Sequence, residues 1–292
     1  MGDPVKISVL INNYNYADYL GAAIDSTLAQ DHPNFEVVVV DDGSTDGSRD
    51  IIAGYGDRII PVLKVNGGQA SSFNAGFAAS SGDLVMLLDS DDCLLPGKLV
   101  GFADLYAEHD LDWCFDRVTT DEDASAPARL DITLIDRRMD MAKGRFPSIP
   151  VPTSGLSFRR NLLSQILPMP TADDVVLSDN YLKFAAAYLG RGAVVETPMT
   201  FQRIHGQNRY TGSDQMQALK ARIMTATGTA LARRYPGLGV FGRRLAAGGL
   251  ASSRLSGRAL SMAISEIVAG SSSPGLDSLK LRALISLKRL RP

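Results

Sequence analysis

At 292 residues the chain exceeds the usual size of one domain, so a large domain with an appendage, or two smaller ones, is expected. Its 45% hydrophobic and 21% charged residues exclude a disordered chain, and no apolar run approaches the roughly 18 residues that cross a bilayer. The net charge of −2 conceals an asymmetry: residues 214–292 hold 13 Lys/Arg against 3 Asp/Glu, a surplus of +10 that leaves −12 on the remainder. An acidic body suits a divalent metal, whereas a basic tail suits a membrane surface, another polyanion or simply solvent.

The start, Met1-Gly2-Asp3-Pro4-Val5-Lys6, lacks the basic residues, apolar stretch and cleavage site of a signal peptide, which points to the cytoplasm. From Lys6 to about Thr119, short β-branched runs alternate with helical patterns, the signature of βαβ units. Strands are expected at Ile7–Ile11, Phe35–Val40, Ile59–Val65, Leu84–Leu88 and Trp113–Val118. Tyr16, Leu20, Ala23, Ile24 and Leu28 recur at helical spacing between the first two strands, Gln69–Ala79 is a further helix, and Pro96 suits the first turn of another. Strands of nearly continuous Val, Ile and Leu imply burial on both faces of a mainly parallel, Rossmann-like sheet.

Residues 121–141 are charged and weakly periodic, and Phe146-Pro147-Ser148-Ile149-Pro150-Val151-Pro152 reads as an extended loop. Helices are then expected at Arg160–Leu167 and Asp179–Leu189, with a short strand near Ala193–Glu196 and a polar stretch at Gln202–Tyr210. From Asp214 onward the pattern is helical. In the last segment Leu276, Leu279, Ala283, Leu287 and Leu290 recur at spacings of three and four, with Lys280, Lys288, Arg289 and Arg291 elsewhere on the same helix. Such a helix lies on an anionic membrane, or packs on the body or on a second subunit as in a homodimer. Cys93 and Cys114 are too few for a disulfide framework and are expected to be reduced.

In open α/β sheets ligands gather beyond the carboxyl ends of the strands, where this chain concentrates its polar residues. Asn12-Asn13-Tyr14-Asn15 follows the first strand, Asp41-Asp42-Gly43-Ser44 the second and Asp89-Ser90-Asp91-Asp92 the fourth. Three near-adjacent carboxylates repel one another, and hard divalent cations are held by such oxygens, magnesium commonly by one or two together with phosphate. The alternatives are a solvated turn with an aspartate capping the helix near Pro96, and a plain Asp/Gly turn at Asp41–Gly47.

The order of four motifs over the first third of the chain resembles family 2 glycosyltransferases of the GT-A fold. They are Ser8-Val9-Leu10-Ile11 leading to Tyr14-Asn15, then Val40-Asp41-Asp42-Gly43-Ser44-Thr45-Asp46, Asn66-Gly67-Gly68 with Asn74-Ala75-Gly76, and Ser81-Gly82-Asp83 leading to Leu87-Leu88-Asp89-Ser90-Asp91-Asp92. Asn12 departs from the family's usual proline. The resemblance implies an α/β GT-A fold, a mixed and mainly parallel sheet flanked by helices with a C-terminal helical extension. It divides the chain into a nucleotide-sugar-binding half (1–125), an acceptor-binding and catalytic half (126–213) and a basic helical extension (214–292).

The same resemblance implies an inverting transfer from a nucleoside-diphosphate sugar, UDP being the commonest, to a glycan, lipid-linked saccharide or protein hydroxyl, with Mn2+ or Mg2+ as cofactor. Asp42 would contact the nucleobase, Asp91 would hold the metal, and Asp89 and Asp92 would lie beside ribose or metal. Asn13, Tyr14, Asn74 and Ser90 would complete the nucleotide-sugar site. Val176-Leu177-Ser178-Asp179-Asn180-Tyr181-Leu182 is similar to the family's Glu-Asp segment; Ser178 replaces the Glu, so Asp179 becomes the candidate base, with helix capping as its alternative and Asp173 and Asp174 as neighbouring competitors. Gln202-Arg203-Ile204-His205-Gly206-Gln207-Asn208 is similar to the Arg-x-His-x-x-Asn stretch, with Arg203 on phosphate and His205 on metal. Ser154-Gly155 before Phe158 resembles an acceptor-side loop. Two other classes stay open, a nucleotide-sugar sensor without activity and a nucleotidyltransferase. The latter lacks its glycine-rich basic loop here, and no Gly-x-Gly-x-x-Gly follows the first strand to favour an oxidoreductase. No nucleic-acid partner is expected.

Overall fold

Four β-branched or leucine-rich runs in the first third build parallel strands in the computed structural model, which describes residues 4–122, 124, 129–147, 149–171, 177–206, 214–253, 255–269 and 274–289. β1 (Ile7–Asn13) leads through α1 (Ala17–Leu28) to β2 (Phe35–Asp41), then α2 (Ser48–Gly54) to β3 (Ile60–Leu63), and α3 (Gly68–Ala79) to β4 (Leu84–Asp89). β1 lies between β2 and β4, and β3 pairs with the outer side of β2, all in parallel. Side chains alternate between faces along each strand. Leu10, Val38, Val40, Val85 and Leu87 therefore enter one core while Ile7, Val9, Ile11, Val37, Val39, Met86 and Leu88 enter the other. That two-sided burial is why these strands read as continuous apolar runs.

The sheet continues with β5 (Cys93–Leu94), α4 (Lys98–Glu108), β6 (Trp113–Thr119), β7 (Ile132–Ile135), α5 (Arg138–Ala142), β8 (Leu156–Arg159), α6 (Arg160–Ile166), α7 (Asp179–Leu189) and β9 (Gly192–Phe201). The nine strands run in the order β3-β2-β1-β4-β8-β6-β9-β5, with β7 against β9. β8 joins the halves by pairing antiparallel to both β4 and β6, whereas β6 and β9 pair in parallel. The result is the expected GT-A arrangement, a mixed sheet flanked by helices.

Five elements escaped the sequence reading: α2, β5, β7, α5 and β8. β7 falls in the weakly periodic 121–141 stretch and becomes a strand by pairing antiparallel with β9 through Ile132 and Ile135, with Leu134 left exposed. A four-residue edge strand carries too little alternation to announce itself. β9 extends well beyond 193–196 because its far end pairs with both β5 and β6. Asp173, Asp174, Val176, Ser148, Asn208, Leu290 and Arg291 lie outside the described residues.

The C-terminal extension contains α8 (Asp214–Arg234), α9 (Gly239–Ser252), α10 (Gly257–Val268) and α11 (Pro274–Arg289). Leu231, Leu238, Phe241 and Leu245 from α8, α9 and their connection are buried in the same core as Tyr181 and Leu182 of α7. α8 and α9 approach so closely that a Cβ on Gly228 would sit 2.3 Å from the Gly242 carbonyl oxygen, and one on Gly242 would sit 2.3 Å from that of Gly228. α10 and α11 pack separately, placing Ile264, Ile267, Leu281 and Ile285 against Ala246, Ala247 and Leu250 of α9. Among the described residues no helix is long and apolar enough to cross a membrane.

Candidate active site

Register converges the polar strand ends: Asn13 lies level with Asp41 across β1 and β2, and Asn12 level with Asp89 across β1 and β4. Backbone bonds continue the pairing past the strands, from Asp42 N to Asn13 O at 2.9 Å and from Ser90 N to Asn12 O at 3.2 Å. The ends open into a cavity of about 490 Å³ whose walls include Asn12, Asn13, Tyr14, Asp42, Asp89 and Asp91.

The Asp41–Ser44 turn is built from its own side chains. Asp41 is fully buried and accepts hydrogen bonds from Asn13 Nδ2 (3.1 Å), Ser44 N (3.1 Å) and Arg49 Nε (2.8 Å). Burial alone would raise its pKa, but the bonds from Ser44, Arg49 and Asn13 outweigh it and hold the group below the ordinary carboxylate range. Gly43 has φ +78, and a Cβ there would come within 2.6 Å of Asn66 N, so the turn needs a residue without a side chain. Asp42 lines the cavity, yet its oxygens are engaged: Oδ1 accepts from Gly67 N at 2.9 Å and from Lys64 Nζ, and Oδ2 from Gly68 N at 2.8 Å. It thereby anchors the N-terminal end of α3.

On the opposite wall the Asp89–Asp92 turn crowds its carboxylates. Asp89 keeps a window onto the cavity but is otherwise enclosed by protein. Burial first, and then the charges of Asp92, Asp91 and Asp179, push its pKa well above the ordinary value. Asp92 is 2% exposed and is pushed up to about 7, chiefly by burial and also by Asp91, against the opposing effect of its hydrogen bond from Ser154. Asp92 also accepts from Arg203 N at 3.1 Å. Asp91 Oδ2 lies 3.1 Å from His205 Nε2. The imidazole of His205 stacks on Tyr19 with ring centroids 4.4 Å apart and meets the edge of Tyr16 at 5.7 Å, which fixes its plane. None of these aspartates caps α4, whose N-cap is Gly97 with φ +79 and no side-chain cap bond.

The second half reaches the same place through two elements. The 3-10 turn Thr153–Gly155 runs beneath Asp89, where Ser154 Oγ accepts from Asp89 N at 3.0 Å and donates to Asp92 Oδ2. Behind it lies a buried cluster: Lys98 Nζ donates to Asp116 Oδ1 (2.8 Å), Thr200 Oγ1 (2.6 Å) and the Ser154 carbonyl (3.1 Å). Asp179 is the first residue of α7. Ser178, not Asp179, is the N-cap, accepting from Asn180 N, so capping does not account for Asp179. The Asp179 carboxylate pairs instead with Lys183 Nζ at 2.8 Å, and Lys183 also donates to Val151 O.

Three expectations change. Ser154 and Gly155, read as acceptor-side, are fully buried under the carboxylates; a Cβ on Gly155 would stand 2.3 Å from Asp116 O, so the turn is packed rather than presented. Asn74, read as shaping the nucleotide site, is a strut: Nδ2 donates to Met169 O at 2.9 Å and Oδ1 accepts from Met169 N at 2.7 Å. The Arg203 guanidinium pairs with Glu122 at 3.0 Å and lies over Tyr19 and Phe201, while its backbone N–H serves Asp92. Asn13, Tyr14, Ser90, Asp42, Asp89, Asp91 and Asp92 all line the cavity.

Several site residues were not singled out from sequence. Asn12 belongs to the polar stretch expected after the first strand but was given no role of its own, yet both polar atoms of its amide are buried without a hydrogen-bond partner among the described residues, as are Asn13 Oδ1 and Ser90 Oγ. Such orphaned groups at a cavity wall are what a bound ligand satisfies. Tyr16 and Tyr19 are three apart at the start of α1, a helical spacing that signals a shared face. Lys98 and Asp116 left no local signal, being brought together only by tertiary structure.

A family model described as glycosyl transferase family 2 matches residues 8–167, more than half of the chain. The chain belongs to this family. An uncharacterized glycosyltransferase of Nostoc sp. is 36% identical over 218 residues, covering 70% of this chain and 67% of that protein. An uncharacterized glycosyltransferase of Rickettsia prowazekii is 42% identical over 93 residues, where this glycosyltransferase spans only 29% of its relative's length. Among solved structures, S. aureus TarS 1-349 in complex with UDP-GlcNAc aligns with a TM-score of 0.61 at 19% identity, over 97% of this chain and 89% of that one. The mannosyltransferase PcManGT from Pyrobaculum calidifontis, in complex with GDP-Man and Mn2+, aligns with a TM-score of 0.56 at 18% identity, over 98% and 87%. At these identities the structural likeness establishes the GT-A fold.

Proposed function

We propose that this family 2 glycosyltransferase moves a sugar from a nucleoside-diphosphate sugar to an acceptor hydroxyl with inversion at C1. Asp179 would act as base, and Asp91 with His205 would hold a divalent metal. One observation carries the reading: the ends of β1, β2 and β4 open into a single cavity lined by Asn12, Asn13, Asp42, Asp89 and Asp91, and the charge of Asp179, from the second half, acts on Asp89 at its wall. TarS bound to UDP-GlcNAc and PcManGT bound to GDP-Man and Mn2+ share the fold and support a nucleotide-sugar donor. UDP is the leading donor nucleotide, and the acceptor is a glycan, a lipid-linked saccharide or a protein.

The donor set fits Mn2+ or Mg2+. Asp91 Oδ2 and His205 Nε2 are 3.1 Å apart, and a divalent cation beside them would relieve the mutual repulsion of the crowded carboxylates of Asp89, Asp91 and Asp92. Among the described residues no group of three His, Cys, Asp or Glu could hold an ion by itself, so a metal at this site would need further oxygens from the donor diphosphate. When bound, the metal neutralises charge that develops on the departing nucleoside diphosphate. The protein's own part is then positional. Asn12, Asn13, Tyr14 and Asp42 line the donor cavity, and Lys183 orients the Asp179 carboxylate to accept the proton of the attacking hydroxyl.

Calorimetry with UDP-glucose, UDP-GlcNAc and GDP-mannose, with and without Mn2+, joined to an assay of donor hydrolysis, tests the reading. Asp179→Asn is expected to lose about 100-fold or more in turnover, the usual scale for a general base, with donor affinity nearly unchanged. Normal turnover would remove Asp179 from the base role. Asp91→Ala is expected to abolish the Mn2+ dependence of binding; equal dependence in variant and parent would end the metal assignment. A chain that binds donor but never turns it over would favour the sensor reading.

A further inference from the structure

α11 carries two apolar faces, and only one is used. Leu281 and Ile285 are 2% exposed and, with Leu284, pack on α9 and α10. At about 100° per residue, the row Leu276, Leu279, Ala283, Leu287 lies on the opposite side. It faces solvent, with Leu276 54%, Leu279 66% and Leu287 61% exposed. The stripe that the sequence leaves open to a membrane or to packing is therefore the outer one. Lys280 borders the row on one edge, and Arg282 and Arg289 border it on the other, all three exposed. α10 extends this surface: Arg282 donates to Ser261 Oγ at 3.0 Å and Arg289 to Leu255 O at 2.7 Å, bringing α11 against a neighbour with Leu255, Arg258 and Met262 exposed.

We propose that the outer face of α10 and α11 docks on an anionic bilayer surface, with Leu276, Leu279 and Leu287 entering the headgroup and acyl boundary and Lys280, Arg282 and Arg258 meeting lipid phosphates. The charge decides the occupant. A second copy seated on the same face would bring its own Lys280, Arg282 and Arg258 against these, whereas an anionic leaflet complements both the cations and the apolar row. The +10 surplus of residues 214–292 acts in the same direction. This inference is independent of the donor and metal assignments, and places the chain on the surface rather than across it.

The test is co-sedimentation of the full chain with vesicles of phosphatidylcholine alone and with about one-third phosphatidylglycerol, at low and high salt. Binding is expected only with the anionic vesicles and is expected to fall with salt. Leu279→Ser/Leu287→Ser should lower the partition coefficient about tenfold, and Arg258→Ser/Lys280→Ser should remove the preference for anionic lipid. Both pairs are exposed, so melting temperature and donor binding should not change. Absence of sedimentation, equal sedimentation with neutral vesicles, or a leucine variant that binds like the parent would overturn the proposal. So would sedimentation equilibrium showing a dimer that the leucine pair dissolves, since the face would then belong to a second copy.

Discussion

Asn12 shows how much can rest on one residue. A buried amide with neither end bonded costs the folded chain more than a hydrophobic side chain would, so its retention at the cavity wall points to a ligand that completes it. Asn12→Ala is expected to weaken nucleoside-diphosphate binding about tenfold, the scale of one lost hydrogen bond to a ligand, while leaving the melting temperature equal or higher. Calorimetry and a thermal melt read both, and unchanged affinity would place the amide outside recognition. The sequence placed this residue in a polar stretch at a strand end and lacked only its orphaned amide, which becomes visible once β4 pairs beside it. Glu36 is a residue of another kind. It accepts from Ser8 Oγ at 2.7 Å, from Ser81 N and Oγ and from Lys6, tying the start of β2 to β1 and to the turn before β4. Burial would raise its pKa, but these donors outweigh burial and lower it from 4.5 to about 2. A depressed carboxylate contributes stability above its unfolded pKa and loses it as pH falls through the folded one. The difference in melting temperature between parent and Glu36→Gln should therefore be full above pH 4.5 and shrink toward pH 2. A difference that stays constant across that window would show that the donors do not favour the ionised form.

At the scale of elements, β1, β2, β4 and β6 and the helices α1, α3, α6 and α7 were legible because each carries enough periodicity to mark itself. The carboxylate turns were legible because they follow such strands. The support beneath them was not. β8 is four residues long, and the 3-10 turn before it acts chiefly through Ser154, which binds both Asp89 N and Asp92. What holds Ser154 is Lys98 at the start of α4, paired with Asp116 in β6 and bonded to Thr200 in β9, three elements whose proximity no local pattern records. Lys98 is 1% exposed and Asp116 fully buried, so removing one charge strands the other at a cost of about 3–5 kcal/mol, whereas replacing both by apolar residues is often neutral. Lys98→Met should lower the melting temperature sharply, and Lys98→Met/Asp116→Leu should restore most of it. Because neither replacement can hold the Ser154 carbonyl, the double variant should still bind Mn2+ and donor more weakly than the parent. Recovery of stability and binding together would make the pair structural only; loss of stability in the double variant would mean that the pair contributes more than its mutual neutralisation.

For the molecule as a whole, the division drawn at residue 214 separates composition rather than packing. Leu231, Leu238, Phe241 and Leu245 are at most 4% exposed and share one core with Tyr181, Leu182 and Leu163, so α8 and α9 complete the catalytic body. The contact of Gly228 with Gly242 leaves no room for a methyl group between those two helices, and Gly242→Ala should loosen the body by forcing them apart. α10 and α11 belong to a satellite cluster that packs on one side of α9 and is tied to α8 by Arg233 donating to Glu266 O at 2.8 Å, and a satellite can be removed at the cost of exposing mainly Ala246, Ala247 and Leu250. Two truncations separate the cases. A chain ending at residue 253 should stay folded with a modest loss in melting temperature, bind donor and Mn2+ like the parent, and lose attachment to anionic vesicles. A chain ending at residue 213 should aggregate or unfold, because it uncovers the core under α7. If the shorter chain instead folded and bound donor, α8 and α9 would be an appendage after all. If the longer one failed to fold, α10 and α11 would be part of the body, and their exposed leucine row would have to be weighed as the edge of that core rather than as a surface set aside for a membrane.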